Sequence, residues 1–397
     1  MAERTRQPMP AGFWTIWTTV ALDLVGFGIV VPILGRYAER FGANGFQVGL
    51  LFASFSLAQM VFAPVLGRVS DRVGRKPVII FSLVGTAVGC FVTGAAGALW
   101  VLFLGRIIDG ASGASVAVAQ GAIADIAPPE RRAQLLGMLG AAFGVGFVVG
   151  PALGGLAALG GPHVPFYVAG TIAAVNAVAA VIRLPETRPE AREERPARGS
   201  RAALTPDLRR YAAVGLLSTL GFAGFEATFS LWGAETFSLT EGSTALVFLF
   251  VGVLLVLVQG VFIGRLTASF GSRRLLRAGL AVVAAGMFTL ASTSTWPVLF
   301  VALTFIAFGQ GVAVPSGTAL VTEAAPVERR GEALGYQQSV TALGRVAGPV
   351  IAGLLFDQVA VDAPFVVAGV LAGLALLAVW TVTRPERATN PQIPGTV

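Results

Sequence analysis

Twelve apolar runs, each long enough to cross a bilayer, divide this chain of 397 residues. A lipid-spanning helix needs about 20 residues, because the hydrocarbon core is about 30 Å thick and holds no water for an unpaired backbone group. The runs fall at 13–35, 47–66, 77–95, 98–124, 134–158, 165–184, 209–236, 243–263, 275–293, 296–322, 333–356 and 364–383, with short polar stretches between them. The expected fold class is therefore an all-α membrane protein. Hydrophobic residues make up 55% of the chain and charged residues 12%, whereas a soluble domain carries about 25% charge.

Basic residues test which side each loop faces. With the N-terminus inside the cell, 24 of the 28 fall in cytoplasmic segments; Arg36 and Arg40 lie in an external loop, and Arg106 and Arg345 lie within helices. That asymmetry predicts both termini in the cytoplasm; the expected location is the bacterial inner membrane. The first run follows Arg4 and Arg6 as a signal peptide would, yet it contains Asp23 and lacks a small-residue cleavage site, so it is expected to stay. The net charge of +7 is spread over loops and forms no basic face, which argues against a nucleic-acid partner. A single Cys, Cys90, and a single His, His163, leave no disulfide or metal cluster to expect. No cofactor is implied. With no nucleophile–base set either, an enzyme is not the expectation.

Residues 185–208 are rich in Pro, Arg and Glu without apolar period, which marks a cytoplasmic linker between units at 1–184 and 209–397. Those units repeat one another. ADIAPPERRAQLLG from Ala124 returns 198 residues later as TEAAPVERRGEALG from Thr322, and Gly150-Pro151 returns as Gly348-Pro349. The hydrophilic stretch GRVSDRVGRKP from Gly67 to Pro77 also returns, as GRLTASFGSRR from Gly264, with Ala268 where Asp71 stood. Parallel repeats of this kind predict two six-helix bundles about a pseudo-twofold axis, with a site between them near mid-membrane.

The Gly67–Pro77 stretch reads as a hairpin in which Gly67 and Gly74 turn the backbone, Arg68, Arg72, Arg75 and Lys76 mark the cytoplasmic side, and Asp71 is a ready partner. Its spacing, G-x-x-x-D-R-x-G-R-K, is similar to the loop between helices 2 and 3 of the major facilitator superfamily. Three further stretches narrow the resemblance: ALDLVGFGIVVPIL around Asp23, LGRIIDGASGASVA around Arg106, and GVGFVVGPALGG from Gly144 to Gly155. Together they resemble the twelve-helix drug:proton antiporters, most closely the tetracycline-type branch. The resemblance implies a proton-coupled exporter of small amphiphilic molecules that works by alternating access as a monomer, its partners being the substrate, protons and the bilayer. A symporter or importer of a small organic solute on the same scaffold, or a membrane sensor that no longer transports, are the alternatives. Residues 243–263 and 275–293 lack the His and the acid that tetracycline members carry, which argues against tetracycline itself.

Five charges lie within the apolar runs: Asp23, Arg106, Asp109, Glu226 and Arg345. Each costs about 2.5 to 3.5 kcal/mol at a helix centre, so each is expected to face a partner or a water-reachable space. Arg106 and Asp109, three residues apart, share a face and suit an ion pair. Apolar surroundings favour a neutral carboxyl and a nearby cation its charged form, so an acid that moves relative to Arg106 takes up and releases protons. Asp23 or Glu226 is the candidate for that acid, with Asp109 the fixed partner of Arg106, and Arg345 an alternative neutraliser. Phe27, Phe225, Trp232 and Gln310 are candidates to join Asp23, Arg106, Asp109 and Glu226 as the substrate-facing wall. The resemblance implies a gate in which Asp71 and Arg75, with Gly67, Arg72 and Gly74 of the same loop, meet Asp125, Arg131 and Arg132. Gly146, Gly150 and Gly154 repeat every fourth residue beside Gly155, and Pro151 removes a backbone hydrogen bond, so this helix is expected to form a bent, tight seam between the halves.

Overall fold

The protein is described by a computed structural model covering residues 9–128, 131–188, 205–326 and 329–380, with backbone alone at 132–134 and 331. The first half holds α1 (Phe13–Glu39), α2 (Gly45–Val73), α3 (Arg75–Gly94), α4 (Leu99–Ser112), α5 (Ser115–Ile126), α6 (Arg132–Ala158) and α7 (Val164–Arg183). The second holds α8 (Pro206–Phe237), α9 (Glu241–Leu257), a π segment (Val258–Phe262), α10 (Ile263–Phe270), α11 (Ser272–Ala291), α12 (Trp296–Glu323), α13 (Arg330–Gln358) and α14 (Ala363–Trp380). Because α4 and α5 share one crossing and α9 to α10 another, the helices form 12 spans. No strand occurs among the described residues. Of the linker expected at 185–208, residues 189–204 lie outside the described residues, as does the end of the last run after Trp380.

Two bundles of six spans result, each around its own core. Ile16, Val20, Ile79, Leu83, Val118 and Ile123 pack the first; Phe225, Phe229, Trp232, Phe248, Leu303 and Phe365 pack the second. Outward faces stay apolar and exposed, as with Trp100, Ile182, Leu246 and Trp380, which suits a lipid solvent. Where a span must start sharply, a side chain supplies the missing acceptor: Asn44 and Gln47 cap α2 reciprocally at 2.9 and 3.0 Å, and Thr240 with Ser243 does the same for α9.

Two local expectations need correction. The hairpin at 67–77 is not a loop: α2 runs through Gly67 and Asp71 to Val73, and α3 begins at Arg75, so Gly74 alone turns the chain, at φ +113°. Polar residues do not end a helix; no Pro or strained position interrupts GRVSDRV, so the helix continues past the apolar run. Pro77 sits in the first turn of α3, where an N–H has no helical acceptor. The fourth span, expected as one helix, is broken at Gly113 and Ala114.

The bundles meet at the end away from the Gly74 turn. There Gly353 faces Gly45, Gly49 faces Pro349, and Gly252 faces Phe147, each so closely that an added Cβ would stand 2.2, 2.2 or 2.0 Å from the opposing carbonyl oxygen. Arg40 and Glu241 pair across the same end at 2.7 Å. On the same four spans toward the turn, a Cβ on Gly67, Gly137, Gly140, Gly260, Gly264 or Gly335 would meet nothing within 4 Å. The small residues thus let backbone approach backbone at one end only.

Candidate functional site

The intramembrane charges arrange themselves in two groups. In the first half, Arg106 Nη1 bonds Asp109 Oδ2 at 2.7 Å, with the two side chains 4% and 10% exposed, and the guanidinium lies 4.2 Å over the ring of Phe55. Gly89 makes room for Asp109: a Cβ there would stand 2.8 Å from the aspartate's own Cβ. Phe27 packs against Phe55 at 5.9 Å between centroids, so α1, α2 and α4 share one cluster. Asp23 makes no ion pair among the described residues; it is partly exposed on a helix whose neighbouring residues Leu24 and Val25 are buried, and it accepts a hydrogen bond from the Ser115 hydroxyl. In the second half Glu226 is also partly exposed, makes no ion pair among the described residues, and feels the charge of Arg345 on α13.

Three candidates for the substrate wall turn inward instead. Phe225 and Trp232 are 1% and 0% exposed, stacked into the aromatic core with Phe229, Phe248 and Phe365, and the indole N–H donates to Asp362. Gln310 is 4% exposed inside α12. Burying large aromatic faces against each other gains more than exposing them, and a helix period alone does not say which stripe faces which neighbour.

At the Gly74 turn, Arg75 is the centre of a buried charge cluster. Its Nη1 meets Asp71 Oδ1 at 2.7 Å and Ser70 Oγ at 2.7 Å, while Nε donates to Asp125 Oδ2 at 2.8 Å. The planar fork serves both acids at once, which a lysine ammonium would not do. Gly121 leaves the space, since a Cβ there would lie 3.1 Å from the guanidinium carbon. These side-chain partners of Arg75 all lie within the first half. Arg131 contacts Met9 at 3.4 Å, and the Arg132 side chain is outside the described residues.

One member of the cluster had no signal in the motif. Glu186, just past α7, accepts from the backbone N–H groups of Arg75 at 2.8 Å and Lys76 at 3.2 Å, capping α3, and also from Thr187 and Arg188 at 3.0 Å each. Burial raises its carboxyl, but the four amide donors outweigh burial and hold it below the usual carboxylate range. Arg188 donates to the Arg72 carbonyl, so the start of the linker is tied to both helices of the turn.

The glycine stripe of the fifth span does not form the seam between the halves. Gly146, Gly150 and Gly154 face α1, where an added Cβ would meet Leu24, Gly28 and Ile29 at 2.7, 2.6 and 3.1 Å. The helix meets the second half through its other faces instead, with Gly144 at Val256, Phe147 at Gly252 and Gly155 at Ala245 of α9. Residues four apart share a single face, and that face was claimed by α1. Pro151 lies within α6 on the same turn.

Comparison with known proteins bears on what this architecture belongs to. Multidrug resistance protein 1 of Bacillus subtilis (strain 168) is 30% identical over 379 residues, 94% of this chain and 97% of that protein. The class C tetracycline resistance protein of Escherichia coli is 32% identical over 349 residues, 85% of this chain and 88% of that one. Among solved structures, the human organic anion transporter MFSD10 (TETRAN) superposes with a TM-score of 0.73 at 25% identity, covering 94% of this chain and all of that one. A bacterial homologue of the human lysosomal transporter Spinster superposes with a TM-score of 0.76 at 14% identity over 93% of this chain and 95% of that one, which speaks to the fold alone. The Major Facilitator Superfamily profile matches residues 16–267 and 212–396. With twelve spans in two repeated bundles and a profile spanning both, this chain belongs to the Major Facilitator Superfamily.

Proposed function

We propose that this transporter is a proton-coupled exporter of small amphiphilic molecules, working as a monomer by alternating access. The observation that carries the reading is the position of two lone carboxyls. Asp23 on α1 and Glu226 on α8 are partly exposed at mid-span, on the helices that touch across the halves where Gly35 meets Ser230, and neither is ion-paired among the described residues. An unpaired acid deep in lipid is costly, so its presence supports a group that exchanges protons. Arg106 and Asp109, already locked together, serve as the fixed element beside Asp23. The multidrug and tetracycline resistance relatives support export as the direction.

The same reading sets the Gly74 turn and both termini on the cytoplasmic side of a bacterial inner membrane, in keeping with the basic residues there. The described state, joined at the opposite end, is then open inward. The Arg75, Asp71 and Asp125 cluster, with Arg131 and Arg132 nearby in sequence, is the part of the first unit (1–184) placed to engage the second (209–397) when the inner side closes, the linker at 185–208 joining them. Phe27, beside Asp23, is the apolar contact for substrate.

Flux in proteoliposomes tests this. A pH gradient should drive uptake of a lipophilic dye into inside-out vesicles, and Asp23→Asn with Glu226→Gln should abolish the gradient's effect while leaving the protein folded. Gradient-driven flux that survives both substitutions would overturn the reading.

A further inference from the structure

The break in the fourth span has a defined shape. Gly113, at φ −70° and ψ 55°, forms an inverse γ-turn in which the Ala114 N–H reaches back to the Ser112 carbonyl at 2.7 Å. Helical bonding resumes only with Val118 N–H to Ala114 O at 2.9 Å, so α5 starts as a new helix at mid-membrane. The Gly113 carbonyl left over by the break is satisfied from another span: Gln59 Nε2 on α2 donates to it at 2.9 Å. Gln59 sits where a Cβ on residue 113 would stand 2.9 Å from its amide nitrogen, so a larger residue would displace it. Unsatisfied backbone is expensive in lipid, and a half-buried side-chain donor given to that one carbonyl marks the break as built into the fold.

The consequence falls on α1. Ser115, the first residue of α5 and 4% exposed, gives its hydroxyl to Asp23. In an unbroken helix, positions 109 and 115 would point about 120° apart. With the break, Ser115 bonds Asp23 while Asp109 stays within electrostatic reach of the same carboxyl. Asp109 is itself paired to Arg106; Cys90 of α3 is the other titratable group nearby, and Glu226 lies in the opposite half, under the influence of the Arg345 charge.

Resting on the proton-exchange reading of Asp23, we propose that Ser115 is the positioning residue for that acid, set in place by the Gly113 break and its Gln59 brace. The hydroxyl favours the carboxylate over the carboxylic acid, because a donated hydrogen bond strengthens when its acceptor is charged. Arrival of a proton on Asp23 therefore weakens the tie between α1 and the head of α5. The two half-helices of the fourth span then respond separately: α4 keeps its ion pair and α5 is released.

Infrared titration of the purified full-length protein in detergent tests this without a substrate. The protonated-carboxyl band that Asp23→Asn removes is followed against pH. Ser115→Ala should move its midpoint about one pH unit toward alkaline, since the charged form loses its donor, and Ser115→Thr should restore it. Gln59→Leu should move it in the same direction by disturbing the break. A midpoint unchanged in Ser115→Ala, or unrestored by Thr, overturns the positioning role. If instead Asp23→Asn removes no titrating band, the proton-exchange reading itself fails.

Discussion

Asp357 of α13 takes the backbone N–H groups of Gly45 and Phe46 at 2.8 Å each, so a carboxylate from the second half caps the first turn of α2 in the other half. The N-terminal amides of a helix lack internal acceptors, and a carboxylate there also meets the positive end of the helix dipole. This bond exists only while the bundles are joined at that end. Replacing a cap by Ala costs about 1 kcal/mol, a factor of about five in population. Asp357→Ala should therefore part the halves enough to speed hydrogen exchange in the first turn of α9, which does not touch Asp357. Breaking the Arg40–Glu241 pair, 51% and 17% exposed, should do less, below about 1 kcal/mol, because surface pairs are screened. Unchanged exchange in α9 after Asp357→Ala would show the cap to be local.

A methyl group probes the same closure by steric means. At Gly252 it would stand 2.0 Å from the Phe147 carbonyl oxygen and at Gly353 2.2 Å from that of Gly45, both rigid backbone. Gly252→Ala and Gly353→Ala should each cost the joined state about 1 to 3 kcal/mol as overpacking. They should lower the melting temperature in detergent and slow transport. Gly137→Ala, whose Cβ would meet nothing within 4 Å, should instead be neutral or stabilise by about 0.5 to 1 kcal/mol, from helix propensity. Equal melting shifts at all three positions would refute the one-ended seam.

The sequence makes the number of spans plain because lipid imposes one length on every crossing, and apolar runs of that length are hard to miss. The duplication likewise announces two bundles. Pairing of Arg106 with Asp109 is local, three residues on one helix, and so is legible. Facing is not. Gly146, Gly150 and Gly154 define a stripe, yet which neighbour fills it depends on how six helices pack, and α1 proved to be that neighbour. Phe225 and Trp232 share their residue types with a substrate wall but serve the core. Ser115, Glu186 and Asp357 act through partners 92, 111 and 312 residues away, a distance no periodicity reports.

Arg75 carries two acids on one guanidinium, with its own side chain and that of Asp125 both 9% exposed. Removing one partner from a buried pair leaves an uncompensated charge, at about 3 to 5 kcal/mol. Arg75→Ala should therefore lower stability severely. Arg75→Lys keeps the charge but lacks the fork, so it should retain the fold and lose transport rate, because only one acid is then held. Thermal denaturation and flux measured together separate the two. If Arg75→Lys transports like the unmodified protein, the forked geometry has no role beyond charge.

Glu186 ties the linker to the head of α3, and its lowered carboxyl gives the tie a pH dependence of known sign. A carboxyl whose folded value is depressed contributes fully above its ordinary value, about 4.3 for Glu, and loses that contribution as pH falls through the depressed value. Protonation takes away the charge that four amide donors share. A spin label at Thr187 should thus be immobile at neutral pH and become mobile only as pH falls below the ordinary glutamate value, about 4.3. Glu186→Gln should leave the label mobile throughout with no transition, since an amide accepts more weakly than a carboxylate. The carboxylate is exposed, so salt should soften the contact but not shift its sign. A Gln variant whose label stays immobile at neutral pH, or that keeps the same transition on acidification, would mean that Arg188 and its bond to the Arg72 carbonyl hold the linker instead.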